Sequence, residues 1–367
     1  MQVKTHCLRE ITKPVTVPPG VMGYREFVAE PDWKRNLLST TSLLYHPTRR
    51  RVICGLTAFD TDLMYEFDPD AKTWHCLDYM SVSHKFEIKI HRSLCLAKDG
   101  SVYGATAGLH REDQRMEAPG GRIFRYDFDA KSYDMLGRPV PPDYIQTITL
   151  DEERGLIYGV SYPVFRFFAF DINARKTRFE QYVGCLPHIM AIDDHGCIWS
   201  TWSNRTHYLF KYDPEANRIH FFHHGLPNAK DGVNLMFPGM GPIDTMINGG
   251  DGYIYVGMTT GSLVRIVPET GEVEYLGKPT SEMRIVTLEV GPDGRLYGTS
   301  GHLGKVYLFA YDRQKRTFDI LGHLHDNERN TSLFISHDMC FTDDGRLFVG
   351  ETDTMERAGY LWECWDF

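Results

Sequence analysis

The sequence predicts an all-β protein: a seven-bladed β-propeller spanning residues 1–367 as a single domain and closed by an N-terminal strand that completes the last blade. Three observations predict it. A hairpin phrase recurs seven times, with turns at Arg50-Arg51, Asp99-Gly100, Arg154-Gly155, His195-Gly196, Asp251-Gly252, Asp293-Gly294 and Asp344-Gly345. Asp-Gly supplies the positive φ angles of a tight turn, and flanks such as Val102-Tyr103 and Leu296-Tyr297 alternate as strands do. Successive turns lie roughly 41 to 56 residues apart, the repeat length of propeller blades. Finally, the last repeat is one strand short.

Within each repeat the strands are lettered A to D in chain order. The A–B hairpin is followed by an aromatic-rich run that ends in Asp and a turn, as in LMYEFDPDAKTWHCL from Leu63, GRIFRYDFDAKSYDMLG from Gly121 and KVYLFAYDRQKRTFDILG from Lys305. These runs supply strands C and D. In the seventh repeat strand C, Gly359 to Trp365, runs almost to the end of the chain at Phe367. Its missing partner is expected from the N-terminus, within Val3 to Ile11 or Tyr24 to Ala29, because pairing first and last segments removes the edges an open stack would expose.

The formal charge is −9, from 40 basic and 49 acidic residues, and no basic stripe is present, so nucleic acid is not an expected partner. No stretch is apolar over the length of a membrane span, and the N-terminal residues lack the apolar core of a signal peptide. A soluble cytoplasmic protein with no membrane partner is therefore the expectation, provided that no signal was removed ahead of this sequence. The eight cysteines include no C-x-x-C pair and are read as buried thiols. Aromatic residues, 13% of the chain, suit both stacked sheets and sugar-binding clefts. Oligomeric state is left open.

Loop lengths select a working face. The A–B and C–D turns are short, whereas Asp78 to Ile90, Ala107 to Gly120, Gly225 to Ile243 and Gly322 to Ser336 are long. All four are D–A or B–C connections, which share one face of a propeller, and binding sites concentrate on such loops. Counting back eight residues from each turn glycine places Arg92, His188, Asp244, Val286 and His337 at the starts of A strands on that face; matching strands adds Thr41 and Gln146. His91 fits as well as Arg92. The ends of the B strands add Asp60, His110, Tyr162, Arg205, His302, Glu351 and Asp353, with Trp199 and Trp202 close by.

Three chemistries can use such a ring. His188, His337, Gln146 and Asp244, helped by His91, form a mixed nitrogen and oxygen donor set for a divalent metal such as Mn²⁺, Zn²⁺ or Ca²⁺. A metal-free site would use one of His91, His188 and His337 as general base and another His or Tyr162 as acid, with Arg92 or Arg205 facing a substrate carboxylate. The third is plain recognition, with Trp199, Trp202 and Tyr162 stacking on a sugar or peptide; His302 and Glu351 are further candidates for substrate binding. No G-x-S-x-G elbow or phosphate-binding loop is present.

The phrase PHIMAID, Pro187 to Asp193, followed by HGCIW, resembles the repeats of virginiamycin B lyase-like propellers. The architecture of the whole chain is similar to that of the seven-bladed lyases of uronic-acid sugars: oligogalacturonate, ulvan and rhamnose-glucuronate lyases. The first group holds a metal with several His and a Gln, and Gln146, His188 and His337 match in residue type and blade position. The chain departs from that group in lacking a Gln and two His close together in one segment. In the metal-free lyases a His and a Tyr do acid–base work beside an Arg, for which His91, Tyr162 and Arg92 are the nearest counterparts. The resemblance implies a lyase acting by β-elimination on a uronate-containing oligo- or polysaccharide. A non-catalytic glycan- or protein-binding propeller, or a glycoside or lactone hydrolase on the same fold, is the alternative.

Overall fold

The computed structural model describes residues 1–10, 37–108, 110, 114–229, 240–352, 354 and 357–367. The protein is all-β, with seven antiparallel blades in a propeller arrangement. Each predicted turn joins the expected A and B strands, from Leu38–His46 and Arg51–Ala58 in blade 1 to Ser336–Phe341 and Leu347–Glu351 in blade 7. Asp-Gly does what the phrase requires: Gly100, Gly294 and Gly345 have φ of 85°, 81° and 83°.

The chain divides into two compact units. One comprises Gln2–Gln146 and His325–Phe367 and holds blades 1, 2 and 7; the other comprises Met1 and Thr147–Leu324 and holds blades 4 to 6 with nearly all of blade 3.

In the first unit the N-terminal strand Gln2–His6 pairs antiparallel with Leu361–Trp365, Gln2 opposite Trp365 and His6 opposite Leu361, and completes blade 7. This strand falls within the first of the two expected segments apart from its leading residue; Tyr24 to Ala29 lies outside the described residues. Side chains clamp the join. His6 Nε2–H donates to Glu363 Oε2 at 2.7 Å, Lys72 Nζ reaches Glu363 Oε1 at 2.6 Å, and Arg346 Nη1 approaches the same oxygen at 3.2 Å. Burial alone would raise the Glu363 carboxyl, but His6 and Lys72 outweigh it and hold the group at about 2.

The mid-strand glycines of the B strands explain why blades pack so closely. In the second unit a Cβ at Gly257 would lie 2.5 Å from Ile285 Cγ2, on strand A of blade 6, so only a bare backbone lets that strand approach. Gly298 likewise leaves room for the Phe309 ring of its own blade. Elsewhere in this unit Trp199, Tyr158, Tyr212, Phe167 and Phe210 are fully buried.

The long loops fold back into structure of their own. Asp78 to Ile90 contains a 3-10 turn, Tyr79–Ser81, and a short strand, Glu87–Lys89; Gly322 to Ser336 contains the hairpin His325–Asp326 with Thr331–Ser332. Buried Glu87 holds the first loop in place by accepting the Tyr79 hydroxyl at 2.9 Å and pairing with Arg122. Most of the segment Gly225 to Ile243 and four residues of Ala107 to Gly120 lie outside the described residues. All eight cysteines are free thiols; Cys54, Cys185, Cys340 and Cys364 are buried as expected, whereas Cys7, Cys95 and Cys197 are only half-buried and Cys76 is exposed.

The clamp on the N-terminal strand has a pH signature. Because the folded Glu363 titrates below its unfolded range, its contribution is complete above about pH 4.5 and is lost as pH falls toward 2, worth about 3 kcal/mol. Glu363→Gln should remove that acid limb: a marked loss of stability at neutral pH and little difference from the parent near pH 2, read by chemical denaturation across the pH range.

Candidate functional site

Four of the residues counted to the starts of A strands sit where strand A slips against strand B. In blade 1, Thr40 faces Leu56 and Ser42 faces Gly55, so Thr41 has no partner across the ladder. The same slip falls at Asp244, between pairs Ile243–Met258 and Thr245–Gly257, and at Val286, between Ile285–Ser300 and Thr287–Thr299. In blade 7 the step from Ser336–Glu351 to Met339–Val349 spans His337 and Asp338. An extra residue in one strand is a β-bulge, which takes that side chain off the regular alternation and re-aims it. Thr41, Asp244, Val286 and His337 are thus aligned by a repeated local device.

In the unit of blades 7, 1 and 2, His91, Gln146 and His337 come together. His337 Nδ1 lies 2.8 Å from the Thr41 carbonyl oxygen, and His91 Nδ1 lies 2.8 Å from the Gln146 carbonyl oxygen. A carbonyl only accepts, so both Nδ1 atoms carry the proton. The two Nε2 atoms then face each other at 2.8 Å, the rings nearly perpendicular at 84°, with the Gln146 side-chain amide 3.2 Å from His91 Nε2. The two histidines are 3% and 7% exposed. Arg92, buried and at a φ of 45°, donates its backbone N–H to Thr41 O at 3.0 Å. Its positive charge acts on Asp338, whose carboxylate accepts the Leu43 and Met339 amides; burial nevertheless lifts Asp338 to about 6.

In the other unit the gathering is ionic. His188 Nδ1–H donates to Asp244 Oδ1 at 3.0 Å, and Arg284 grips the same carboxylate with a fork, Nη2 to Oδ1 at 2.7 Å and Nε to Oδ2 at 3.0 Å. Asp244 is completely buried, which alone would raise it; Arg284 and His188 overcome that and hold it well below the usual carboxylate range. Arg284 adopts a φ of 71°, a left-handed conformation that a non-glycine residue enters only when its surroundings hold it there. His302 feels the same charges. Burial first, then Arg284, lower it from its ordinary value, and its Nδ1 has no hydrogen-bond partner among the described residues.

The metal set of the sequence analysis is thus divided: Gln146 and His337 join His91 in one unit, while His188 and Asp244 join Arg284 in the other. Among the remaining candidates, Tyr162 ends strand B of blade 3 with its ring 5.9 Å from Phe165. Trp202 ends strand B of blade 4, edge-on to Phe221, and Arg205 is exposed in the turn that follows. Glu351 is a structural carboxylate: fully buried, it pairs with Arg357 and accepts the Phe334 and Tyr360 amides and the Trp362 indole N–H. Asp353 lies outside the described residues.

Sequence reasoning passed over Arg284 and Asp338. Arg284 stands two residues before the Val286 register position, and an arginine before a β-branched run reads as a solvated strand end. Asp338 follows a counted histidine, and only the bulge turns it inward. The matching position of Arg92 and Arg284, each just ahead of an A strand, was the available signal.

No protein family profile and no curated protein matches the chain. Solved structures do. Virginiamycin B lyase from Staphylococcus aureus is similar over 89% of this chain and 95% of its own, with 17% identity and a TM-score of 0.60. The WD40 β-propeller domain of Doa1 is similar over 90% and 93%, with 8% identity and a TM-score of 0.59. The extracellular domain of a putative hybrid two-component system from B. thetaiotaomicron is similar over 90% of this chain at 12% identity and a TM-score of 0.60; this chain spans 38% of its length. At these identities the similarity establishes the propeller fold.

Breaking the Asp244–Arg284 pair from one side leaves a buried charge uncompensated. Arg284→Met should cost about 3–5 kcal/mol, and the double variant with Asp244→Asn should recover part of that loss, measured by urea denaturation.

Proposed function

We propose that this protein is a carbohydrate-active lyase that cleaves a uronate-containing oligo- or polysaccharide by β-elimination, with His188 as the general base. One observation carries the reading. His188 commits its Nδ1–H to Asp244, so its Nε2 is the basic nitrogen, and Asp244 is itself kept ionised and immobile by the Arg284 fork. A base oriented by a carboxylate that a third group holds is the arrangement proton-abstracting and nucleophile-activating sites share.

In the proposed reaction His188 Nε2 takes the proton on the carbon α to the uronate carboxylate. The C–H electron pair becomes the new C=C bond, the bond to the β-oxygen breaks, and that oxygen leaves with its electrons. Tyr162 is assigned to protonate the leaving oxygen, Arg205 and His302 to face the carboxylate, and Trp202 to present an apolar face to a sugar ring. Long connections on the D–A and B–C side support a recognition surface, and a lyase on a similar propeller supports the reaction class.

Burial favours a second reading. His91, His188 and His337 are each less than a tenth exposed, as expected of polar pins in a non-catalytic propeller that binds a glycan or protein. Ultraviolet absorbance of the conjugated double bond, followed on a panel of uronate oligosaccharides with and without EDTA, separates the two. The lyase reading expects product from the parent protein. It also expects a loss of about 10²- to 10⁴-fold in kcat for His188→Gln, with a smaller loss of melting temperature than Arg284→Met causes. No ultraviolet product across the panel, with binding retained, would establish the binding propeller instead.

A further inference from the structure

We propose that the recess between the loops Asp78 to Ile90 and Ala107 to Gly120 binds a small neutral acyl substituent, the acetamido group of an N-acetylated sugar. The inference rests on the carbohydrate reading of the loop-rich face, and not on turnover. Every residue that lines the recess belongs to the unit of blades 7, 1 and 2. The recess measures about 210 Å³, below the roughly 300 Å³ at which sites for drug-sized ligands begin. Its occupant is therefore one substituent with the ring edge that carries it.

The walls are apolar and fixed. Two buried rings, Phe86 and Tyr144, line the recess, and His110 stands edge-on to both, with ring centres 5.8 and 5.3 Å away. Gly108 and Gly120 line it with bare backbone: a Cβ would come 2.6 Å from the Phe86 carbonyl oxygen in the first case and 2.6 Å from that of Asp143 in the second. Lys85 pairs with Glu117 from one loop to the other at 3.1 Å, and Arg122 Nη2 donates to Val82 O at 2.6 Å. The two loops are thus tied in place before a ligand arrives, which lowers the entropy lost on binding. Such walls suit a methyl group, which needs no hydrogen bond.

Polar groups choose the rest of the ligand. Glu87 lines the recess, but both its oxygens are engaged: Oε1 by Arg122 Nε, and Oε2 by the Tyr79 hydroxyl, the His84 amide and Arg122 Nη2. Its charge is already paired, so a cation gains little there. No Lys or Arg is among the described residues that line the recess, so an anion gains little either. His84 Nδ1 differs. It is buried, its residue lines the recess, and it has no hydrogen-bond partner among the described residues. A buried polar atom left unpaired is destabilising until something supplies its partner. In one tautomer this nitrogen donates and in the other it accepts. An acetamido group carries an N–H and a carbonyl side by side and satisfies either tautomer. An acetate ester satisfies the first alone, and a bare methyl group satisfies neither.

The test is saturation-transfer NMR on the full chain with four probes: methyl N-acetyl-β-glucosaminide, methyl 2-O-acetyl-β-glucoside, methyl β-glucoside and methyl β-glucuronide. The expected result is a dissociation constant of about 1 mM for the first, with its acetyl methyl protons the most strongly saturated, and at least tenfold weaker binding of the last two. His84→Leu should weaken binding about tenfold, and His84→Gln, which keeps a hydrogen-bonding group, should lose less. Ala118→Leu, which fills the recess, should abolish the methyl signal. Because the probe panel reads the parent protein, it stays decisive where a variant fails to fold. Equal binding of the glucoside, tighter binding of the O-acetyl sugar, or a methyl signal indifferent to both His84→Leu and Ala118→Leu would overturn the proposal. Ultraviolet product from uronates without acetamido binding would sink this site and leave the lyase reading standing; acetamido-selective binding without ultraviolet product would do the reverse.

Discussion

In four blades strand A slips by one residue against strand B near its start, and the two side-chain clusters of this protein are each anchored at such a slip. A regular antiparallel ladder would alternate Thr41, Asp244 and His337 between the two faces of their sheets. The bulge instead takes each off the alternation at the same point in its blade. It also leaves carbonyls such as that of Thr41 beyond the regular ladder pairs. The Thr41 carbonyl receives the Nδ1–H of His337 and the amide N–H of Arg92, so the backbone irregularity becomes the rule that sets a histidine tautomer.

The same device yields two electrostatic outcomes. In the unit containing blade 5 the bulge residue is an aspartate, buried completely. Its charge is sustained only because Arg284 grips it with two hydrogen bonds and His188 supplies another. In the unit containing blade 7 the bulge residue is a histidine, and its partner His91 is also oriented by a carbonyl, so two ring nitrogens meet at 2.8 Å instead of two opposite charges. The first arrangement fixes an imidazole through a carboxylate. The second fixes two imidazoles through backbone carbonyls. Neither outcome is a property of one residue, since exchanging the orienting group would reverse the tautomer and with it the chemistry.

Repeating local physics made the blades legible in the sequence. Asp-Gly turns and alternating flanks each act within about ten residues, so the seven A–B turns, the four-strand order and the N-terminal completion of blade 7 could all be read from the sequence. Counting back from the turn glycine reached Asp244 and His337, and matching strands reached Thr41, because the bulge lies at a nearly constant distance from the turn. What the sequence could not determine was which of those residues meet. His91 bonds to His337 across a sequence separation of 246, and Asp244 to Arg284 across 40. Tertiary structure alone decided that Glu351 is consumed within its own blade, that Arg284 belongs to a site, and that His188 and His337 serve different clusters. Hairpin signals are local and therefore written in the chain, whereas hydrogen-bond partners between blades depend on where separate strands come to rest.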